Sequence, residues 1–129
     1  EGATKFVTVR VTGAANENEA EQAARAVANS LLVKTSWFGE DPNWGRVIDA
    51  VGYSGAALSA ETIRIRYDDI IAYDGANGPA DDDLERLERV LGQDSFAVEI
   101  FLGAGDASCE IYTCDCSHEY ISINADYTT

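Results

Sequence analysis

Methionine is missing altogether from the 129 residues, histidine occurs once and cysteine three times, and 23 acidic side chains face only 9 basic ones. Each shortage bears on a class of function. A formal net charge of −14 repels polyanions, and no Lys/Arg cluster exists to release their counterions, so nucleic acid and anionic membrane surfaces are poor partners. A cationic or zwitterionic ligand stays open. The apolar stretches are short and interrupted, so none can span a bilayer and a soluble protein is expected. Cys109, Cys114 and Cys116 crowd the end of the chain, whereas a disulfide scaffold needs an even, distributed set. A reducing, cytoplasmic compartment follows as the expectation. The lone His118 and the lack of a Gly-x-Ser-x-Gly elbow argue against a self-contained Ser/His or Cys/His enzyme. There is no leader pattern, and a strand pattern begins within four residues of Glu1, so the chain reads as cut from something longer.

What is present suits one globular domain over residues 1–129, with 46% apolar and 25% charged residues. Residues 5–12 alternate, Val7, Val9 and Val11 against Phe6, Thr8 and Arg10, which predicts a strand with one buried face. Ala20, Ala23, Ala24, Val27, Leu31 and Leu32 are spaced as a helical face behind a cap at Asn16 or Asn18. Val33 to Phe38 reads as a short strand. Asp41-Pro42 announces a helix with Trp44, Val47, Ile48 and Val51 inward. Thr62 to Tyr67 alternates as a strand, and Asp68 to Pro79 is a short hairpin or loop. Asp81 to Leu91 fits a surface helix with Leu84, Leu87 and Leu91 facing in. Phe96 to Leu102 is a strong strand, and Gly103-Ala104-Gly105-Asp106 suggests a hairpin turn into a partner strand at 107–114. Tyr120, Ile121 and Ile123 or Asn124 give the tail a helical spacing. The expected class is α+β, a mixed sheet packed with helices.

Several clusters invite chemistry. Cys114, Cys116 and His118 lie two apart and would share one side of an extended strand, but no second His or Cys pair completes a zinc site, so no metal is assigned. Asp81, Asp82 and Asp83, and the pair Asp68-Asp69, match helix caps and solvated turns better than a cation loop. The run Gly39 to Arg46 mixes turn formers, an aromatic and both charge signs. It is either a capped helix start with a buried Trp or an anion-receiving helix N-terminus.

The runs EGATK (1–5), LVKT (32–35), GEDPNWGR (39–46), AVGYSGA (50–56) and INADYTT (123–129) resemble the C-terminal part of the ornithine acetyltransferase family, the bifunctional glutamate N-acetyltransferases of arginine biosynthesis. The likeness covers nearly the whole chain in the same order. It implies the C-terminal part of the beta chain of a self-cleaving acetyltransferase fold. The precursor cuts itself at an Ala-Thr bond, and the freed Thr carries the acetyl group from N-acetylornithine to glutamate. That Thr, the oxyanion-hole pair and the substrate lysine lie upstream in the family. Ala3-Thr4 is followed by Lys5 where the family's cleavage site has Met and Leu, so Thr4 is not the nucleophile and no catalytic residue is assigned here.

By the same resemblance Glu1, Asn124 and Thr129 contact the amino-acid substrate. The implied partners are the alpha chain and the upstream part of the beta chain in an alpha2-beta2 heterotetramer, with no cofactor. Departures from the family are Cys116 at a commonly apolar position, His118 at a variable one, and a longer, more acidic stretch over 77–94. Read without the family, the chain is a small acidic binding or regulatory module, with Glu1 a mobile terminal residue and Asn124 and Thr129 residues of the tail.

Overall fold

The computed structural model describes residues 1–126. Strand β1 (Phe6–Ala14) buries Val7, Val9 and Val11 completely and turns Phe6 and Arg10 the other way. Helix α1 (Glu17–Ala28) starts at Asn16, whose side-chain oxygen accepts from the Glu19 amide at 2.8 Å while its amide donates to the Glu19 carboxylate at 2.9 Å. The first bond satisfies one orphan amide of the first turn, and the second holds the Asn16 side chain in the capping position. Ala20, Ala23, Ala24 and Val27 form a stripe of small side chains, which lets α1 lie close against the sheet.

The predicted strand at Val33 to Phe38 is instead helix α2 (Leu31–Phe38). Ser30 caps it, accepting from the Val33 amide at 3.2 Å, and Val33 and Trp37, four residues apart, are both fully buried. Cap and burial outweigh the β-leaning composition. The same break corrects the first helix: Leu31 and Leu32 belong to α2 and are 63% and 64% exposed, not inward. Helix α3 (Trp44–Gly52) buries Val47 and Val51, with Trp44 and Ile48 half-buried at its edge.

Strands β2 (Arg64–Tyr67) and β3 (Ile70–Tyr73) pair as a hairpin across Asp68 and Asp69. Helix α4 (Asp81–Leu91) faces the core through Leu87, Val90 and Leu91; Leu84, expected inward, is 43% exposed. Strand β4 (Ser95–Phe101), strand β5 (Ala107–Cys114) and helix α5 (His118–Ala125) complete the described residues.

The sheet runs β3-β2-β4-β1-β5, with β1 parallel to β4 and antiparallel to β5. The predicted hairpin between β4 and β5 is therefore not formed, because β1 lies between them. Gly103 to Asp106 steps over the end of β1 instead, and the amides of Ala104 and Gly105 donate to the Gly13 carbonyl at 2.8 and 2.9 Å. The glycines serve this close passage: a Cβ on Gly105 would stand 2.5 Å from the Ala14 carbonyl oxygen. The architecture is α+β. One sheet face carries the helices over a core that includes Ile65, Tyr67, Val98 and Ile100. The other presents Phe6 stacked on Tyr112 at 5.5 Å, and Arg10 paired with Glu99 and Glu110.

Candidate functional site

The antiparallel register sets Phe6 opposite Cys114, so residues 1–5 leave β1 beside the residues that follow β5. One more rung forms, the Asp115 amide to the Lys5 carbonyl at 3.3 Å, before the chain turns into α5. Asp115 is wholly buried. Its Oδ1 accepts from the amides of Thr4 and Lys5 at 2.8 and 3.0 Å, and its Oδ2 accepts from the Thr4 hydroxyl. Ser117 caps α5 by accepting from the Tyr120 amide at 2.9 Å and donates its own hydroxyl to the Gly2 carbonyl. Gly2, at φ +81°, lies directly on the backbone of Glu119 and Tyr120, where a Cβ would stand 2.6 Å from the Tyr120 nitrogen. Only glycine fits there without moving the chain.

Lys5 is 8% exposed, donates to the Gln93 carbonyl at 3.2 Å and stands 3.7 Å from the Glu40 carboxylate. Glu40 itself is held at φ 56°, just past the end of α2. The His118 ring meets Phe38 edge-on at 5.4 Å, and the Cys116 amide donates to the Lys34 carbonyl at 3.3 Å. Both contacts tie the end of the chain to α2.

Of the three residues expected to meet substrate, Glu1 is exposed and adjoins Gly2, which rests on α5. Asn124 is exposed one turn farther along that helix, its amide donating to the Tyr120 carbonyl at 2.8 Å. Thr129 lies outside the described residues. Two ends distant in sequence thus form one junction. Sequence reasoning missed Asp115 and Ser117, the two side chains that make it. The available signal was an acid and a hydroxyl placed just after a strand and just before a helix.

The other clusters resolve differently. Cys114, Cys116 and His118 do not share a strand face: β5 stops at Cys114, Cys116 is buried in the connection, and His118 opens α5. No group of three or more His, Cys, Asp or Glu able to hold a metal ion forms among the described residues. Asp81, Asp82 and Asp83 occupy the first turn of α4, where the helix dipole favours them. Asp68 lies in the β2–β3 turn and accepts from the Ala97 amide at 2.9 Å. In the Gly39 to Arg46 run, Asn43 caps α3 by accepting from the Arg46 amide at 3.1 Å, and Trp44 stacks on Tyr73 at 4.5 Å. That is a capped helix start with a packed Trp. Electrostatics single out one more group: burial, helped by Asp41, pushes the Tyr67 phenol well above its usual range.

The ArgJ family model matches residues 1–129, the whole chain. The chain belongs to the ArgJ family. It is 46% identical over 129 residues to the arginine biosynthesis bifunctional protein ArgJ of Geobacter sulfurreducens, covering all of this chain and 33% of that protein. It is also 46% identical over 133 residues to the glutamate N-acetyltransferase of Methanopyrus kandleri, covering all of this chain and 34% of the relative. Among solved structures, the crystal structure of the ArgJ protein of Bacillus halodurans superposes with a TM-score of 0.91 at 38% identity, over 98% of this chain and 60% of that one. The chain therefore spans about a third of the length of these curated ArgJ relatives. Among the described residues, no ArgJ helix here is long and apolar enough to cross a membrane.

Proposed function

We propose that residues 1–129 are a single domain forming the C-terminal portion of a longer acetyltransferase precursor, and that they wall the pocket of an ornithine acetyltransferase. In this reading a threonine outside the chain, freed by self-cleavage at an Ala-Thr bond, attacks the acetyl carbonyl of N2-acetyl-L-ornithine. The ornithine amine departs, and the amine of L-glutamate then takes the acetyl group from the threonine oxygen. Both substrates present an α-carboxylate, so one pocket serves both halves of the reaction. The alpha chain and the upstream part of the beta chain are the partners in an alpha2-beta2 assembly, working in the cytoplasm, in keeping with three free thiols.

The observation that carries the reading is the junction of the two chain ends. Gly2 rests on Tyr120, so Glu1 and the helix bearing Asn124 belong to one surface. The chemistry suits an amino acid: the Glu1 carboxylate pairs with an ammonium group, and the Asn124 amide and the Thr129 hydroxyl receive a carboxylate through neutral hydrogen bonds. Such neutral donors matter in a protein of net charge −14, which repels an anionic substrate at long range.

The test uses the full-length enzyme carrying Glu1→Ala, Asn124→Ala or a deletion of Thr128 and Thr129, assayed for acetyl transfer from N-acetylornithine to glutamate. Each change is expected to raise KM by about 10-fold or more, or to abolish turnover. Normal kinetics in all three would remove these residues from the pocket.

A further inference from the structure

We infer that Asp115 is a positioning residue for Glu1: a buried carboxylate that locks the main chain of residues 2–5 onto the start of α5 and so fixes where the Glu1 side chain stands. The inference rests on the pocket reading above and deepens it. A carboxylate removed from water is costly unless its oxygens are satisfied. Asp115 is fully buried, and its three acceptor contacts all go to Thr4 and Lys5. Beyond the Asp115 amide rung the chain leaves the ladder to enter α5, so the amides of Thr4 and Lys5 have no strand carbonyl opposite them. The Asp115 side chain takes the place of that missing strand. Charged acceptors hold shorter and stronger bonds than a carbonyl does, which suits a part that must not drift.

Among the described residues the buried polar or charged side chains are Lys5, Ser36, Asp115 and Ser117, and three of these four lie in this junction. Ser117 supplies a second anchor, at the Gly2 carbonyl. With Thr4 and Lys5 held by Asp115, and Gly2 held by Ser117, Glu1 has little freedom of position relative to α5. Asp115 and Glu1 are 114 positions apart in sequence (115 − 1). The arrangement therefore couples the two regions proposed to meet the substrate.

The experiment is steady-state kinetics of the full-length enzyme with N-acetylornithine and glutamate, for Asp115→Ala, Asp115→Asn, Thr4→Val, Glu1→Ala and the double variant Glu1→Ala/Asp115→Ala. Asp115→Ala is expected to raise KM about 10- to 100-fold while kcat stays within about threefold. Asp115→Asn, whose carbonyl still accepts both amides, recovers most of the loss. Thr4→Val, at an exposed position, removes only the hydroxyl contact and keeps the amide one, and raises KM about threefold. In the Glu1→Ala background Asp115→Ala adds no further rise, because it acts through Glu1. Normal KM in Glu1→Ala removes Glu1 from the pocket and the inference with it, and normal kinetics in the Asn124 and Thr128/Thr129 variants as well remove the pocket reading. A raised KM in Glu1→Ala together with an unchanged one in Asp115→Ala, or effects that multiply in the double variant, overturns the positioning role alone. If Asp115→Ala does not fold, Thr4→Val with and without Glu1→Ala makes the same comparison, and an unchanged KM there overturns it equally.

Discussion

Replacing Gly2 with alanine adds a single methyl group at the point where the two ends of the chain meet. The perturbation has two parts. At φ +81° an L residue with a Cβ is disfavoured by about 1–2 kcal/mol. The new Cβ would also stand 2.6 Å from the Tyr120 nitrogen and 2.8 Å from the Glu119 carbonyl carbon, both backbone atoms that no rotamer change can move. The segment must then lift off α5, giving up the Ser117 hydroxyl bond to the Gly2 carbonyl, worth about 1 kcal/mol. The φ strain and the backbone overlap, the latter worth about 1 kcal/mol or more, come to about 2–3 kcal/mol against the pose that holds Glu1. At 1.36 kcal/mol per decade, kcat/KM of the full-length enzyme falls by about 30- to 150-fold if that pose is required. Gly52→Ala is the control: a Cβ there meets nothing within 4 Å at the end of α3, so stability rises by up to about 1 kcal/mol and kinetics stay unchanged. Kinetics of Gly2→Ala indistinguishable from those of the parent would refute the reasoning, since the methyl group cannot be accommodated without displacing residues 1–2.

Two further outcomes follow from parts remote from the junction. The buried Tyr67 hydroxyl has no hydrogen-bond partner among the described residues, and its pKa is raised in the folded state, so the protein keeps that proton after the unfolded chain releases it. Stability is then full below the unfolded value near pH 10 and declines above it, by up to about 1.4 kcal/mol per pH unit for this group. Tyr67→Phe should flatten that decline in denaturant titrations of the intact protein between about pH 9 and 11.5 and leave neutral-pH stability equal or slightly higher; identical alkaline slopes would count against it. Asn16→Ala removes both halves of the reciprocal cap on α1 and should lower the unfolding free energy by about 1 kcal/mol, read as a shifted denaturant midpoint at constant slope.

How far the residues disclose this molecule depends on whether the deciding interaction is local. The alternation of Val7, Val9 and Val11, the cap at Asn16 and the inward face of α3 are local, and the expected elements are the observed ones. Helix α2 was hidden because Val33, Thr35, Trp37 and Phe38 lean toward extended structure, while burial of Val33 and Trp37 beneath the sheet decides the matter. The β4–β5 connection misled for a related reason. Glycines mark a tight turn and a close crossing alike, and only the position of β1 tells them apart. The expectation that Glu1 and Asn124 meet substrate comes only from resemblance to a family. Asp115 had only its place between a strand and a helix to mark it: an acid between two cysteines carries no periodic signal, and its partners lie 110 and 111 residues away.

The place of β1 has a consequence for synthesis. Its partners on both sides, β4 and β5, come from residues 95–114, so β1, an internal strand of the sheet, is synthesised before either neighbour and must wait for both. Until then a valine-rich ribbon has two open hydrogen-bonding edges, the kind of surface on which nascent chains stick to one another. Translation pauses before residue 95 should therefore cost yield, and a holdase chaperone that shields residues 6–14 should restore it.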